Sequence, residues 1–212
     1  MYCPAHFQQN QPELLLGLIE AFPFATVVAN GPSGLVADHL PVFHRPVPNG
    51  WGQLMGHVAK NNPLWRCAPE QELLLIFQGP STYISPQWYA SKPIDGKVVP
   101  TWNYAVVHVY ATLKALHAPD EILEIVTQLT QQHEAAQAQP WQVSDAPADF
   151  TQKLLAGIVG VEFSIQRIQG KWKASQNQSA SNQGSVVEGL LQQGTAPALQ
   201  MAELVKKSLG AR

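Results

Sequence analysis

Val98-Val-Pro-Thr-Trp-Asn-Tyr-Ala-Val-Val-His-Val-Tyr-Ala-Thr-Leu113 decides the fold class. Branched and aromatic residues dominate it, and these favour a pleated strand over a helix. The run continues to Leu116, and Pro100 sits at its start, where a strand tolerates a residue without an N–H. Shorter runs on both sides read the same way. Phe24 to Ala29 is apolar and β-branched, Asn30-Gly-Pro-Ser-Gly34 is a turn cluster, and Leu35 to Phe43 returns as a second strand. A hairpin is expected there. After a turn at Pro46, Pro48, Asn49 and Gly50, Gln53 to Ala59 reads as a third strand. Glu72 to Gln78 is a continuous apolar strand that Gly79-Pro80 should break, and Gly160 to Ile168 alternates through Val161, Phe163 and Ile165.

Helical period appears at the ends. Asn10 can cap a helix, Glu13 can complete a capping box, and Leu14, Leu15, Leu18, Ile19 and Phe22 share one face before Pro23. Asn61-Asn-Pro-Leu-Trp65 suits a short helical turn. Pro119 to Ala136 is a helix with Ile122, Leu123, Val126 and Leu129 inward. Phe150, Leu154, Leu155 and Ile158 mark another, and two short helices are expected over 185–192 and 197–208. Residues 80–100 hold Ser81, Thr82, Tyr83, Ser85, Pro86, Trp88, Tyr89, Pro93 and Gly96 without apolar periodicity, so they read as a long loop with a task. Hairpin connections without regular β–α alternation place the chain in the α+β class, mainly β: an antiparallel barrel or sheet with added helices.

Composition sets the outer limits. The 212 residues are 45% hydrophobic and 13% charged, with a formal net charge of −2. A packed core is affordable and wholesale disorder is excluded. The chain lacks the basic excess of a typical DNA-binding domain. No run of about 18 apolar residues spans a membrane, and Met-Tyr-Cys-Pro-Ala-His-Phe at the start does not resemble a signal peptide. Cys3 and Cys67 form neither a disulfide framework nor a four-thiolate zinc site, so reduced cysteines and a cytoplasmic location are expected.

Chemistry-bearing residues cluster in three places. His39, His44, His57 and His108 lie on or beside strands, but the step from His39 to His44 puts them on opposite faces of a regular strand, so no metal site is expected. His57 stands out because Lys60, Asn61 and Asn62 follow it. Tyr83-Ile-Ser-Pro-Gln-Trp88-Tyr89 and Thr101-Trp-Asn-Tyr104 combine flat rings with hydroxyl and amide groups. They suit a planar cofactor or, equally, a protomer interface. Lys171-Trp-Lys-Ala-Ser-Gln-Asn177 ends the last strand and is either a phosphate grip or a solvated strand end. No nucleophile elbow and no Gly-rich phosphate loop is present. Residues 164–212 carry Arg167, Lys171, Lys173, Lys206, Lys207 and Arg212 against Glu188 and Glu203, a local excess of +4. A helix-turn-helix reading of this tail is weak, because few base-reading side chains sit near the start of its second helix.

Taken in order, the motifs resemble a known family. Met1-Tyr-x-Pro-x-His6-Phe7, Asp38-His-Leu-Pro41, Gly56-His-x-Ala-x-x-Asn62-Pro63-x-Trp65, Phe77-x-Gly-Pro80-x-x-Tyr-Ile-Ser-Pro86-x-Trp-Tyr89, Val99-Pro-Thr-Trp-Asn-Tyr104 with His108, and Lys173-x-Ser-Gln-Asn177 are similar to the PaiB family of FMN-binding negative transcriptional regulators. The set covers nearly the whole chain. Ala111 and Ala174 depart from the pattern, where Gly and Leu are expected.

The resemblance implies an antiparallel FMN-binding split β-barrel like that of pyridoxamine-phosphate oxidase, with peripheral and C-terminal helices. It also implies a homodimer with FMN at the interface. The barrel would cover 1–173, and a helical segment over 174–212 would pack on the barrel or the dimer partner. His57, Lys60 and Asn61 would hold the phosphate, joined by Lys173 and Ser175. Tyr83, Ser85, Trp102 and Asn103 would meet the flavin ring, with Gln176 and Asn177 arriving from the partner subunit. DNA is a weakly supported partner. A flavin-dependent oxidoreductase using the same pocket is the alternative function, and a haem protein with iron on His57 or His108 is a third.

Overall fold

The computed structural model describes residues 1–31 and 33–210. Pro32 of the predicted turn and Arg212 of the basic tail lie outside the described residues. In chain order the elements are β1 (Gln8–Gln9), α1 (Pro12–Ala21), β2 (Phe24–Gly31), β3 (Gly34–Pro41), β4 (Phe43–Arg45), β5 (Gln53–Ala59), β6 (Leu73–Ile84), α2 (Lys92–Asp95), β7 (Thr101–Leu116), α3 (Pro119–Glu134), α4 (Ala148–Leu155), β8 (Ile158–Lys173), α5 (Ala180–Gln193) and α6 (Ala196–Gly210). The strands form one sheet in the order β3-β2-β6-β7-β8-β5-β4, with β1 paired to β8. This pairing path is open, ending at β3 and β4. The α+β class, the antiparallel hairpins and the split-barrel type agree with the sequence.

Contacts divide the chain into two compact units, and β6, β7 and β8 each contribute residues to both. One unit comprises Ile19–Phe77 and His108–Ile168. Here β2 and β3 form the expected hairpin, with Phe24 opposite Pro41 and Gly31 opposite Gly34. Period-2 alternation buries Ala25, Val27 and Ala29 on one face of β2. β5 pairs with β8 over its whole length, from Gln53 opposite Ser164 to Ala59 opposite Ile158. Met55, Leu116, Ile125 and Leu129 form a core under α3. His39 and His44, read as one strand, fall on β3 and β4.

Two helix readings change in this unit. Leu123 points outward on α3, and Ile125 takes the inward position with Ile122 and Leu129. The apolar residues of α4 are not core: Phe150 is 52% and Leu154 57% exposed, and Ile158 belongs to β8. α4 has only eight residues and buries none of them, so its apolar spacing marks a rim rather than a packed face.

The other unit comprises Met1–Leu18, Gln78–Val107 and Gln169–Arg212. The first bonds of α1 close on the Gln11 carbonyl, which puts Gln11 rather than Asn10 at the cap. Gly79-Pro80 does not end β6, which runs on to Ile84. A Cβ on Gly79 would stand 2.9 Å from Leu18 and 3.2 Å from the Ala105 carbonyl. This glycine therefore allows close packing within the strand instead of breaking it. The long loop expected over 80–100 holds the end of β6, a 3-10 turn over Pro86–Trp88 and α2. α5 begins at Ala180, ahead of the helix expected over 185–192, because Ser179 caps it by accepting from the Asn182 amide at 3.3 Å. Ile84, Tyr89, Ala174, Val186, Leu190, Met201 and Val205 form the core shared by α5 and α6.

Candidate functional site

The end of β8 and the start of β7 bring Lys173 and Ser175, expected at the phosphate, together with Trp102 and Asn103, expected at the ring. Asn103 is buried and donates from Nδ2 to Ser175 Oγ at 2.8 Å. Lys173 Nζ donates to Trp102 O at 2.8 Å and to Thr101 Oγ1. Burial, and then the neighbouring Lys171, push the Lys173 ammonium below its ordinary value. Lys171 is itself buried and donates to Tyr2 O at 3.0 Å, so the two lysines are tied to the protein rather than solvated. Gln176 folds back on its own loop: Nε2 donates to Trp172 O at 2.5 Å and Oε1 accepts from Ala174 N at 2.7 Å. Ser85 caps the Pro86–Trp88 turn by accepting from Gln87 N at 3.2 Å. Asn177 is exposed.

Sequence reasoning passed over Gln183, which is fully buried on α5 and donates from Nε2 to Ser175 O and Gln178 O. Its Oε1 has no hydrogen-bond partner among the described residues. Polar residues in an amphipathic run gave no signal of that role.

Two aromatic side chains in this unit stay open. Tyr83 is 44% and Trp102 56% exposed, and their rings meet edge to face with centroids 6.3 Å apart. Large rings held apart from the core are suited to stacking on a flat partner.

The residues at the end of β5 behave differently. Lys60 and Asn61 are exposed, and their side chains make no hydrogen bond to the described residues. The backbone beneath them is fixed: Lys60 N donates to Gly157 O at 2.8 Å and Asn62 N to Ala59 O at 2.8 Å. Asn62, noted beside His57 in the sequence but given no role there, anchors the turn. Its side chain donates to Asp38 Oδ1 at 2.7 Å and accepts from Leu64 N at 2.8 Å. Lys60 also lines a cavity of about 470 Å³ with His117, Gln152, Leu155 and Ile158. The result is a rigid loop that presents an ammonium and a carboxamide to solvent, a donor set that suits a phosphate.

His57 and His108 each keep a buried Nδ1 without a hydrogen-bond partner. Burial lowers both pKa values from 6.5, so both rings are neutral near pH 7. Among the described residues, no group of three or more His, Cys, Asp or Glu is placed to hold a metal ion. No helix among them is long and apolar enough to cross a membrane.

Residues 1–167 match the family described as "Putative FMN-binding domain". The chain belongs to that family. It is 32% identical over 210 residues to "Protease synthase and sporulation protein PAI 2" of Bacillus subtilis, covering 99% of this chain and 98% of that one. It is 34% identical over 244 residues to an uncharacterized protein of Emericella nidulans, covering 98% and 97%. Among solved structures, the FAD and haem binding protein of Mycobacterium smegmatis superposes with a TM-score of 0.58 at 18% identity, covering 78% of this chain and 73% of that one. The flavocytochrome Anf3 of Azotobacter vinelandii superposes at 0.59 with 11% identity, covering 78% and 69%. At these identities the likeness is one of fold. The alignment with PAI 2 also takes in α5 and α6, which the family match leaves out.

Proposed function

We propose that this chain is an FMN-binding protein of the PaiB type, working as a homodimer with the cofactor at the protomer interface. Membership of the FMN-binding family over residues 1–167 is the observation that carries this reading. FMN, when bound, supplies a redox-active flavin ring. The residues present fit such a group. Lys60 and Asn61 would hold the phosphate, because both are exposed, on a fixed loop and otherwise unused. Tyr83 and Trp102, in the other compact unit, are exposed rings of the kind that stack on a flat group. Asn103, Lys173, Ser175 and Gln176 would act as supports, since their hydrogen bonds already go to the protein. A neutral His57 would contribute no charge to the phosphate.

The sheet supports dimerisation. Thr26 lies opposite Ile76, and Val28 opposite Leu74, on the face of β2 and β6 away from the core. These side chains are half-buried and mostly apolar. A solvated face of an antiparallel sheet would carry polar residues there. A second copy of the chain is the cover we propose.

The output of the dimer, on this reading, is negative regulation of transcription. Its support is near-complete alignment with the relative named "Protease synthase and sporulation protein PAI 2". α6 is not suited to read bases, because its first turn is Ala196, Pro197 and Ala198, and Lys206 pairs with Glu203 at 2.7 Å. Regulation would therefore pass through the dimer rather than through α6 as a recognition helix. A flavin-dependent oxidoreductase using the same cofactor is the second reading.

An absorption spectrum before and after FMN addition and desalting tests the cofactor. Retention of roughly one FMN per protomer is expected; a protein that retains none overturns both flavin readings. Retention of a promoter fragment that specific competitor abolishes then supports the regulator. FMN-dependent consumption of NAD(P)H without promoter binding supports the enzyme instead.

A further inference from the structure

The cavity of about 470 Å³ beside Lys60 has two kinds of wall. Its lip is polar and exposed, made by Lys60, His117 and Gln152. Its floor is apolar: Ile122 and Val159 are buried there, and Leu155 is half-buried. Among the described residues, no Asp or Glu lines it, and the Lys60 ammonium has no ion pair. The lip is also fixed. Lys60 N donates to Gly157 O at 2.8 Å, which ties the end of β5 to the turn between α4 and β8. Trp65 Nε1 donates to Lys60 O at 3.1 Å, and the Trp65 ring meets His117 edge to face with centroids 5.4 Å apart. Arg66 lies over the same indole at 4.7 Å and brings a second cation to the neighbourhood.

We propose that this cavity binds an amphiphilic monocarboxylate, with its head on Lys60 and its apolar tail against Ile122, Leu155 and Val159. Each part of such a ligand answers a part of the wall. A carboxylate accepts a charge-assisted hydrogen bond from the ammonium, and His117 and Gln152 carry further N–H donors at the lip. A neutral alcohol of the same length would forgo the charge-assisted bond. A dicarboxylate would bring its second charge against buried aliphatic side chains and lose its hydration there. A very short acid would leave the apolar floor uncovered. The volume lies within the range of small-ligand pockets. Lys60 is also the group that would hold the FMN phosphate. Uptake of the carboxylate is independent of that reading, whereas displacement of FMN by it rests on that reading.

Calorimetric titration of the desalted full chain with octanoate, octanol and acetate tests uptake. Saturable octanoate binding is expected, with octanol and acetate each at least about tenfold weaker. Lys60→Gln should bring octanoate down to the level of octanol. Ala156, exposed on the wall, offers a way to fill the cavity without touching the ammonium. Ala156→Trp should abolish uptake; Gln152→Trp serves if that variant does not fold. Absence of saturable octanoate uptake, equal affinity for octanoate and either control, or uptake that Lys60→Gln and Ala156→Trp leave unchanged overturns the proposal. An FMN titration in saturating octanoate then separates the two readings. Weakened FMN affinity supports both anions on Lys60. Octanoate uptake with unchanged FMN affinity keeps the cavity as proposed and moves the phosphate off Lys60. FMN binding that Lys60→Gln weakens, without octanoate uptake, overturns this proposal and leaves the phosphate reading in place.

Discussion

Asn103 and Ser175 are 72 residues apart in the chain and share a buried 2.8 Å hydrogen bond. The bond holds a strained residue. Ser175 has φ 61, a left-handed conformation that costs a non-glycine residue about 1 kcal/mol or more. Its carbonyl accepts from Gln183 Nε2 and from Gln178 N, both at 2.9 Å, so three contacts keep the loop after β8 in place.

Removing the Asn103 side chain leaves the Ser175 hydroxyl without its donor in a buried setting. Asn103→Ala should lower unfolding stability by about 1–3 kcal/mol. Urea unfolding followed by circular dichroism measures this. Ser175→Gly should cost less than Ser175→Ala, because both lose the hydroxyl but only glycine adopts positive φ freely. Equal losses would mean that the strain is not felt.

Gly189 on α5 faces Trp88 at van der Waals limit. An added Cβ would lie 2.4 to 2.7 Å from the indole ring. Helix propensity favours Ala over Gly by about 1 kcal/mol, but overpacking of this kind costs about 1–3 kcal/mol. Gly189→Ala should therefore lower Tm, and a calorimetric scan reads it. A rise in Tm would show that Trp88 swings away without loss.

The antiparallel class, the β2–β3 hairpin and the bounds of β5 were legible because branched runs, turn clusters and period 2 are local signals. The extension of β6 past Gly79-Pro80 was not. What makes a glycine useful there is the approach of Leu18 and Ala105, which are distant in sequence. α4 misled for a related reason, since helical spacing shows which residues share a face and not whether anything covers it. The structure brings Trp102 and Asn103, which the sequence reading gave to the flavin ring, together with Lys173 and Ser175, which it gave to the phosphate. Their spacing could not show that Lys173 and Asn103 spend their donors on Trp102 and Ser175.

His57 sets a pH dependence. Its folded pKa lies below 6.5 because burial disfavours the imidazolium. As pH falls through about 6.5, the unfolded chain takes up a proton that the folded chain refuses, so stability drops over the window from 6.5 down to the folded value. His108 acts in the same direction. From roughly pH 7.5 down to about pH 5 the denaturation midpoint should fall for the native chain and fall less for His57→Phe. A midpoint that rises with acid in this window would contradict the sign.

The central claim is that FMN is held through its phosphate by the rigid loop after β5, while the polar cluster at the end of β8 supports structure. FMN affinity, read by flavin fluorescence for the native chain, Lys60→Ala and Lys173→Ala, tests it directly. Loss of the exposed Lys60 ammonium should weaken binding by about tenfold or more without a change in Tm. Lys173→Ala should lower Tm and change affinity much less. Native affinity in Lys60→Ala, together with loss of FMN in a folded Lys173→Ala, would contradict the account.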